Sequence, residues 1–117
     1  MICFSPGFAD HMEWGAHDLG CIYAEQGFVV FMVEHKGHGR TDGEYAVILD
    51  FETEIVDEVI WMFHRAIDRH IKPHSVYSQS IDRNNNYFLS GASMGGAVTI
   101  LAALKLQKKV FNPFKGI

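Results

Sequence analysis

Cysteine and long apolar runs are scarce in this 117-residue sequence, and each scarcity excludes something. The two cysteines, Cys3 and Cys21, stand alone, with no Cys-x-x-Cys spacing for a metal and no set for a disulfide scaffold. Two isolated thiols fit a reducing compartment. The longest apolar run, Phe28-Val29-Val30-Phe31-Met32-Val33, is a buried strand's length and far short of the roughly 20 residues of a membrane span. Met1-Ile2-Cys3-Phe4 lacks the basic start of a secretory leader, and Pro6-Gly7 interrupts what would be its apolar core, so cytoplasmic residence is expected.

Positive charge is also scarce. Ten Lys and Arg face fourteen Asp and Glu, for a net charge of −4. The single cationic pair, Lys108-Lys109, reads as a solvated helix end, so no nucleic-acid partner is expected. There is no internal repeat, no low-complexity tract, no His-x-x-x-His zinc pattern on a helix and no Gly-Lys-Ser/Thr phosphate loop. Gly37-His38-Gly39 lacks the third glycine of a dinucleotide fingerprint. Neither a metal nor a cofactor is expected.

What is present alternates strand and helix. Met1–Ser5 is a short apolar strand ended by Pro6-Gly7. Trp14–Gln26 reads as a helix that Gly27 ends, and Phe28–Glu34 as a strand covered on both faces. A glycine-rich turn occupies 36–43. Ile55, Val56, Val59, Ile60, Phe63 and Ile67 recur at helical spacing between Glu52 and about Arg69, with Asp50 as a plausible N-cap. A polar connection, 71–86, leads to strand Tyr87–Ser90. A small-residue helix over Met94–Leu106 follows, with an apolar stripe of Val98, Leu101, Ala102 and Leu104. The alternation predicts a mostly parallel sheet with helices on both faces. Sites in such sheets form at the carboxyl ends of strands, so the turns at Gly7, at 37–39 and at 91–95 should converge on one edge.

The last of these turns reads Leu89-Ser90-Gly91-Ala92-Ser93-Met94-Gly95-Gly96-Ala97. A bare Gly-x-Ser-x-Gly arises by chance in about one chain in twenty-five of this length. A strand immediately before it and a helix immediately after make it the strand–turn–helix of a nucleophile elbow. Ser93 is then the nucleophile. Gly91 and Gly95 are required because side chains there would collide with neighbouring elements. The Met94 N–H, at the helix N-terminus, is one oxyanion donor. The turn after the first strand would supply the second, the N–H of Phe8.

These residues resemble the α/β-hydrolase superfamily, in its monoacylglycerol lipase, lysophospholipase and serine-aminopeptidase-like branch. Three blocks carry the resemblance in order: Pro6-Gly7-Phe8-Ala9-Asp10-His11, then Glu34-His35-Lys36-Gly37-His38-Gly39-Arg40-Thr41-Asp42-Gly43, then Gly91-Ala92-Ser93-Met94-Gly95-Gly96-Ala97. The middle block is similar to the family's Asp-x-x-Gly-His-Gly-x-Ser-x-Gly segment and the last to its Gly-His-Ser-Met-Gly-Gly elbow. Pro6 stands where the family usually has His, Ala92 where it has His before the nucleophile, and Glu34 where it has Asp. The resemblance implies hydrolysis of carboxylic esters of lipid-like or small acyl substrates. It also implies a small-molecule partner and, in the complete protein, peripheral membrane contact. Acyl transfer or aminopeptidase chemistry would use the same elbow.

One further absence shapes the reading. A serine needs a base, and the base needs an orienting group. In this fold both follow the serine in the chain. The 24 residues after Ser93 contain no Asp, Glu or His. Of the seven histidines, His11, His17, His35, His38, His64, His70 and His74, His38 is expected nearest, in a turn at the same sheet edge, and the resemblance gives it a structural role. His64 and His70 are expected at the surface of the long helix. The expectation is therefore a partial α/β-hydrolase fold truncated after the nucleophile helix: residues 1–117 as the N-terminal part of a single domain. Its later strands, cap, catalytic acid and His would lie outside, and the chain alone would be inactive. The alternative is a pseudo-hydrolase whose sheet edge serves binding.

Overall fold

In a computed structural model of the chain, residues 1–11, 13, 15–44, 54–70, 86–108 and 114–116 are described. The apolar segment that Pro6 cuts off forms β1 (Ile2–Ser5), buried along its whole length. Helix α1 (Gly15–Glu25) follows and ends at Gly27, whose φ of 87° suits glycine. Then come β2 (Val30–Met32), α2 (Val56–His70), β3 (Tyr87–Gly91), α3 (Met94–Gln107) and β4 (Phe114–Gly116). The strands lie in the order β2-β1-β3-β4, and all three pairings are parallel. The expected class, a parallel sheet with helices, is what forms. Asp50 and the connection over 71–85 lie outside the described residues.

Register explains the two faces. Ile2 lies opposite Val30 and Phe88, Cys3 opposite Phe31 and Leu89, and Phe4 opposite Met32 and Ser90. Side chains alternate along a strand, so Met1, Cys3, Tyr87 and Leu89 share one face. There they join Ile55 just before α2, Val56, Val59, Ile60 and Phe63 of α2, and Met94, Val98, Ala102 and Leu106 of α3, in one core. Burial pushes the Cys3 thiol up to about 12, so it packs as a small hydrophobe. The other face meets α1. The rings of Phe4 and Tyr23 pack 6.3 Å apart, the hydroxyls of Tyr23 and Ser90 are 3.2 Å apart, and Gly20 lies against the Met32 thioether. Helices therefore cover both faces.

Two details depart from the sequence reading. The segment 28–34 is not a strand covered on both faces. Only Val30–Met32 forms β2, half-buried at an edge of the described sheet, and Phe28 is exposed. In α3, Leu104 is half exposed and Leu106 is buried in its place. The helix is apolar nearly all round, so its periodicity alone does not say which side faces the sheet. Among the described residues, no helix is long and apolar enough to cross a membrane.

The order β2-β1-β3 places the site. The chain leaves β1 in one direction, through α1 to β2, and returns past it, through α2 to β3. The carboxyl ends of β1 and β3 therefore lie side by side where the strand order reverses, the place where sites form in such sheets.

Candidate active site

Ser93 links β3 to α3 with φ 49° and ψ −115°, a backbone conformation that non-glycine residues rarely adopt. The turn is held from three sides. The Ala92 N–H donates to the Ser5 carbonyl at 3.1 Å, tying the end of β3 to β1. A Cβ on Gly95 would fall well under 3.0 Å from the carbonyl oxygens of Ser5 and Pro6. A Cβ on Gly91 would fall equally close to the Gly95 carbonyl, and 2.7 Å from the Thr99 hydroxyl. That hydroxyl donates to the Gly95 carbonyl at 2.6 Å. Backbone packed against backbone on both flanks thus forces Ser93 outward. Its side chain makes no capping bond to α3 and is exposed to solvent.

The N-terminus of α3 begins immediately beyond. First-turn N–H groups have no intrahelical acceptor, so the Met94 N–H is available to an anion beside Ser93. The turn after β1 meets the serine from the other side. A Cβ on Gly7 would lie 3.5 Å from Ser93 Cβ, the Asp10 N–H donates to the Gly7 carbonyl at 3.3 Å, and Ala9 takes a positive φ of 59°. Phe8 sits in this turn, half exposed, with its ring edge-on to His38 at 5.6 Å. The three turns converge at one sheet edge, as the alternation of elements predicts. Ser93, Gly91, Gly95, Met94 and Phe8 all lie there.

The Glu34–Gly43 turn is a scaffold. The Glu34 carboxylate accepts the Arg40 N–H at 3.0 Å and packs against Gly39, whose φ of 53° favours glycine. Glutamate thus fills the place of the usual aspartate by hydrogen-bonding across the turn. Arg40 also pairs with Glu13. His38 is buried, with its Nδ1 3.0 Å from the Lys36 carbonyl oxygen. This contact gives it an organising place in the turn.

Sequence reasoning passed over His35, which is 1% exposed. Its Nε2 lies 3.0 Å from the Ser5 hydroxyl and 3.2 Å from the Pro6 carbonyl oxygen. Its residue type gave no signal, because the pairing joins positions thirty apart in the chain. Desolvation lowers its pKa to about 4, with the nearby His38 ring adding to the effect and the Pro6 carbonyl opposing it. The folded pKa lies below the unfolded value, so stability is fully present above about pH 6.5 and lost as pH falls towards 4. The loss attributable to this group is on the order of 3 kcal/mol. Denaturant titrations at pH 7 and pH 4 of the native protein and of His35→Gln should differ in their pH slopes accordingly. Equal slopes would remove His35 as the cause.

The other histidines lie elsewhere. His11 Nδ1 accepts the Glu13 N–H at 3.2 Å, and His17 sits 3.7 Å from the Cys21 thiol on α1. His64 is half-buried on α2 rather than fully at its surface. The His70 side chain and His74 lie outside the described residues. No three His, Cys, Asp or Glu side chains come close enough to hold a metal among the described residues.

Comparisons with known proteins give the family and the fold. The model of the family described as serine aminopeptidase, S33, matches residues 1–113. Monoglyceride lipase of Rattus norvegicus is 32% identical over 104 residues, covering 88% of this chain and 29% of that protein. The monoglyceride lipase homolog of Monkeypox virus is 33% identical over 104 residues, covering 88% and 32%. Caffeoylshikimate esterase of Arabidopsis thaliana is 24% identical over 111 residues, covering 95% and 30%. The chain thus spans less than a third of the length of each of these relatives. A crystal structure from Agrobacterium vitis S4 shares the fold at TM-score 0.68 and 21% identity, over 98% of this chain and 38% of that one. The chain belongs to the S33 serine aminopeptidase family, in the monoglyceride-lipase-like branch of the α/β-hydrolases.

Proposed function

We propose that the protein hydrolyses carboxylic esters of lipid-like or small acyl compounds, with Ser93 as nucleophile and the N–H groups of Phe8 and Met94 as the oxyanion hole. The observation that carries this reading is the strained, outward-facing Ser93 at a helix N-terminus, opposite the Gly7 turn. A glycine-rich turn with no chemistry has no reason to hold a serine at positive φ. Attack by Ser93 Oγ on the ester carbonyl forms a tetrahedral oxyanion, which the two N–H groups stabilise. Collapse expels the alcohol and leaves an acyl-serine, which water then hydrolyses. A base must take the Ser93 proton. His38, buried and turned to the Lys36 carbonyl, is not assigned that role. We assign it to a histidine outside these residues in the whole protein. The named relatives support a monoacylglycerol-like substrate.

The test is activity-based labelling of the full-length protein with a fluorophosphonate probe, mapped by peptide mass spectrometry. Fatty-acid release from a monoacylglycerol is measured in parallel. Labelling at Ser93 together with hydrolysis is expected. A protein that is neither labelled nor active would be a pseudo-hydrolase.

A further inference from the structure

The Ser5–Pro6 segment is held between two buried groups. From one side Gly95 of α3 packs on the carbonyls of both residues. From the other, His35 Nε2 approaches the Pro6 carbonyl oxygen at 3.2 Å. A bond to the Pro6 carbonyl requires the proton on Nε2, because a carbonyl only accepts. Were Nδ1 protonated, the Nε2 lone pair would face the Pro6 oxygen lone pairs. Nδ1 has no hydrogen-bond partner among the described residues, so its N–H would be a buried donor without an acceptor there. With the proton on Nε2, the bond to Pro6 forms and Nδ1 keeps only a lone pair. The Ser5 hydroxyl, 3.0 Å away, then shares that donor.

The Pro6 carbonyl belongs to the peptide plane that enters Gly7. The next plane, Gly7–Phe8, carries the Phe8 N–H, and its carbonyl is held by the Asp10 N–H at 3.3 Å. Glycine between two planes imposes little of its own preference. The direction of the Phe8 N–H therefore depends on what anchors each plane.

We propose that His35 is a positioning residue of the oxyanion turn: its Nε2–H holds the Pro6 carbonyl and thereby aims the Phe8 N–H at the oxyanion formed on Ser93. This rests on the function proposed above. His35 acts here as a neutral donor and never touches the substrate. The burial that keeps it neutral near pH 7 keeps the donor constant.

The full-length protein is assayed with p-nitrophenyl butyrate as His35→Gln, which can place a side-chain N–H near the Nε2 position, and as His35→Phe, which fills the space without a donor. His35→Phe should lower kcat about 10- to 100-fold with KM changed less than about 3-fold, because a misaimed donor weakens only the transition state. His35→Gln should restore kcat to within about 5-fold of the native value. Native kcat in a folded His35→Phe variant, or equal losses in both variants, would overturn the proposal. If His35→Phe fails to fold, long-range 1H–15N correlation of the native protein decides instead. An Nε2–H tautomer is expected, and an Nδ1–H tautomer refutes it. A Ser93→Ala variant run alongside separates the failures. If it stays active, the hydrolase reading falls. If it is dead while His35→Phe is fully active, only the role of His35 falls.

Discussion

Replacing Ser93 with glycine is expected to abolish ester hydrolysis and to stabilise the fold by about 1 kcal/mol. At φ 49° and ψ −115° the Ser93 Cβ is held in a conformation that costs about 1–3 kcal/mol for any residue but glycine. Glycine relieves that strain and gives back about 0.5–1 kcal/mol through the freedom it adds to the unfolded chain. The net gain should raise the melting temperature by a few degrees. Ser93→Ala isolates the chemistry. It keeps the Cβ and the strain, so stability should stay within about 0.5 kcal/mol while kcat falls about 10⁴- to 10⁶-fold. Thermal unfolding and an ester assay on the two variants read both quantities. A destabilised glycine variant would show that the turn stores no strain. An active alanine variant would show that Ser93 is not the nucleophile.

The largest loss of stability is expected from Gly95→Ala. A methyl group there meets the carbonyl oxygens of Ser5 and Pro6, which are main-chain atoms at the end of β1. No rotamer change makes room for it. Helix α3 must lift from the sheet, opening the contacts of Val98 and Ala102 with the core. We expect a loss of about 4 kcal/mol or more, beyond the usual range for a single added methyl group. Gly96→Ala is the matched control. Its Cβ would sit 3.4 Å from the Gly91 carbonyl oxygen, close to ordinary contact, and alanine favours the helix. It should change stability by less than about 1 kcal/mol. Urea unfolding of both variants checks the contrast, and equal midpoints would show that α3 does not approach β1 as described.

These two predictions concern the part of the molecule most legible in the sequence, for a physical reason. An elbow is a backbone geometry, and only glycine satisfies its close approaches, so Gly91, Ser93 and Gly95 announce it by residue type. The core face of α2 was legible because Ile55, Val56, Val59, Ile60 and Phe63 recur at the helical period, and all are buried. Periodicity failed where it was uniform. The run Phe28–Val33 is apolar throughout, yet its burial depends on what lies beside β2, which the run does not encode. Helix α3 is apolar on every side, so Leu104 and Leu106 could not be told apart. His35 was hidden for a different reason. Its meaning lies in its distance from Pro6, twenty-nine positions earlier, and a histidine in a glycine-rich turn has many other uses.

The position of β1 bears on how quickly the elbow can assemble. The strand lies between β2 and β3, and its pairing with β3 joins Ile2 to Phe88 and Ser5 to Gly91. The β1–β3 ladder returns nothing against the entropy of closing that long connection until the two strands meet. The Ala92–Ser5 bond and the Gly95 packing both rest on that same late pairing. Ser93 therefore acquires its constrained geometry only once β1 and β3 have paired. A nascent chain exposes β1 to other strand edges until residues 87–91 have been made.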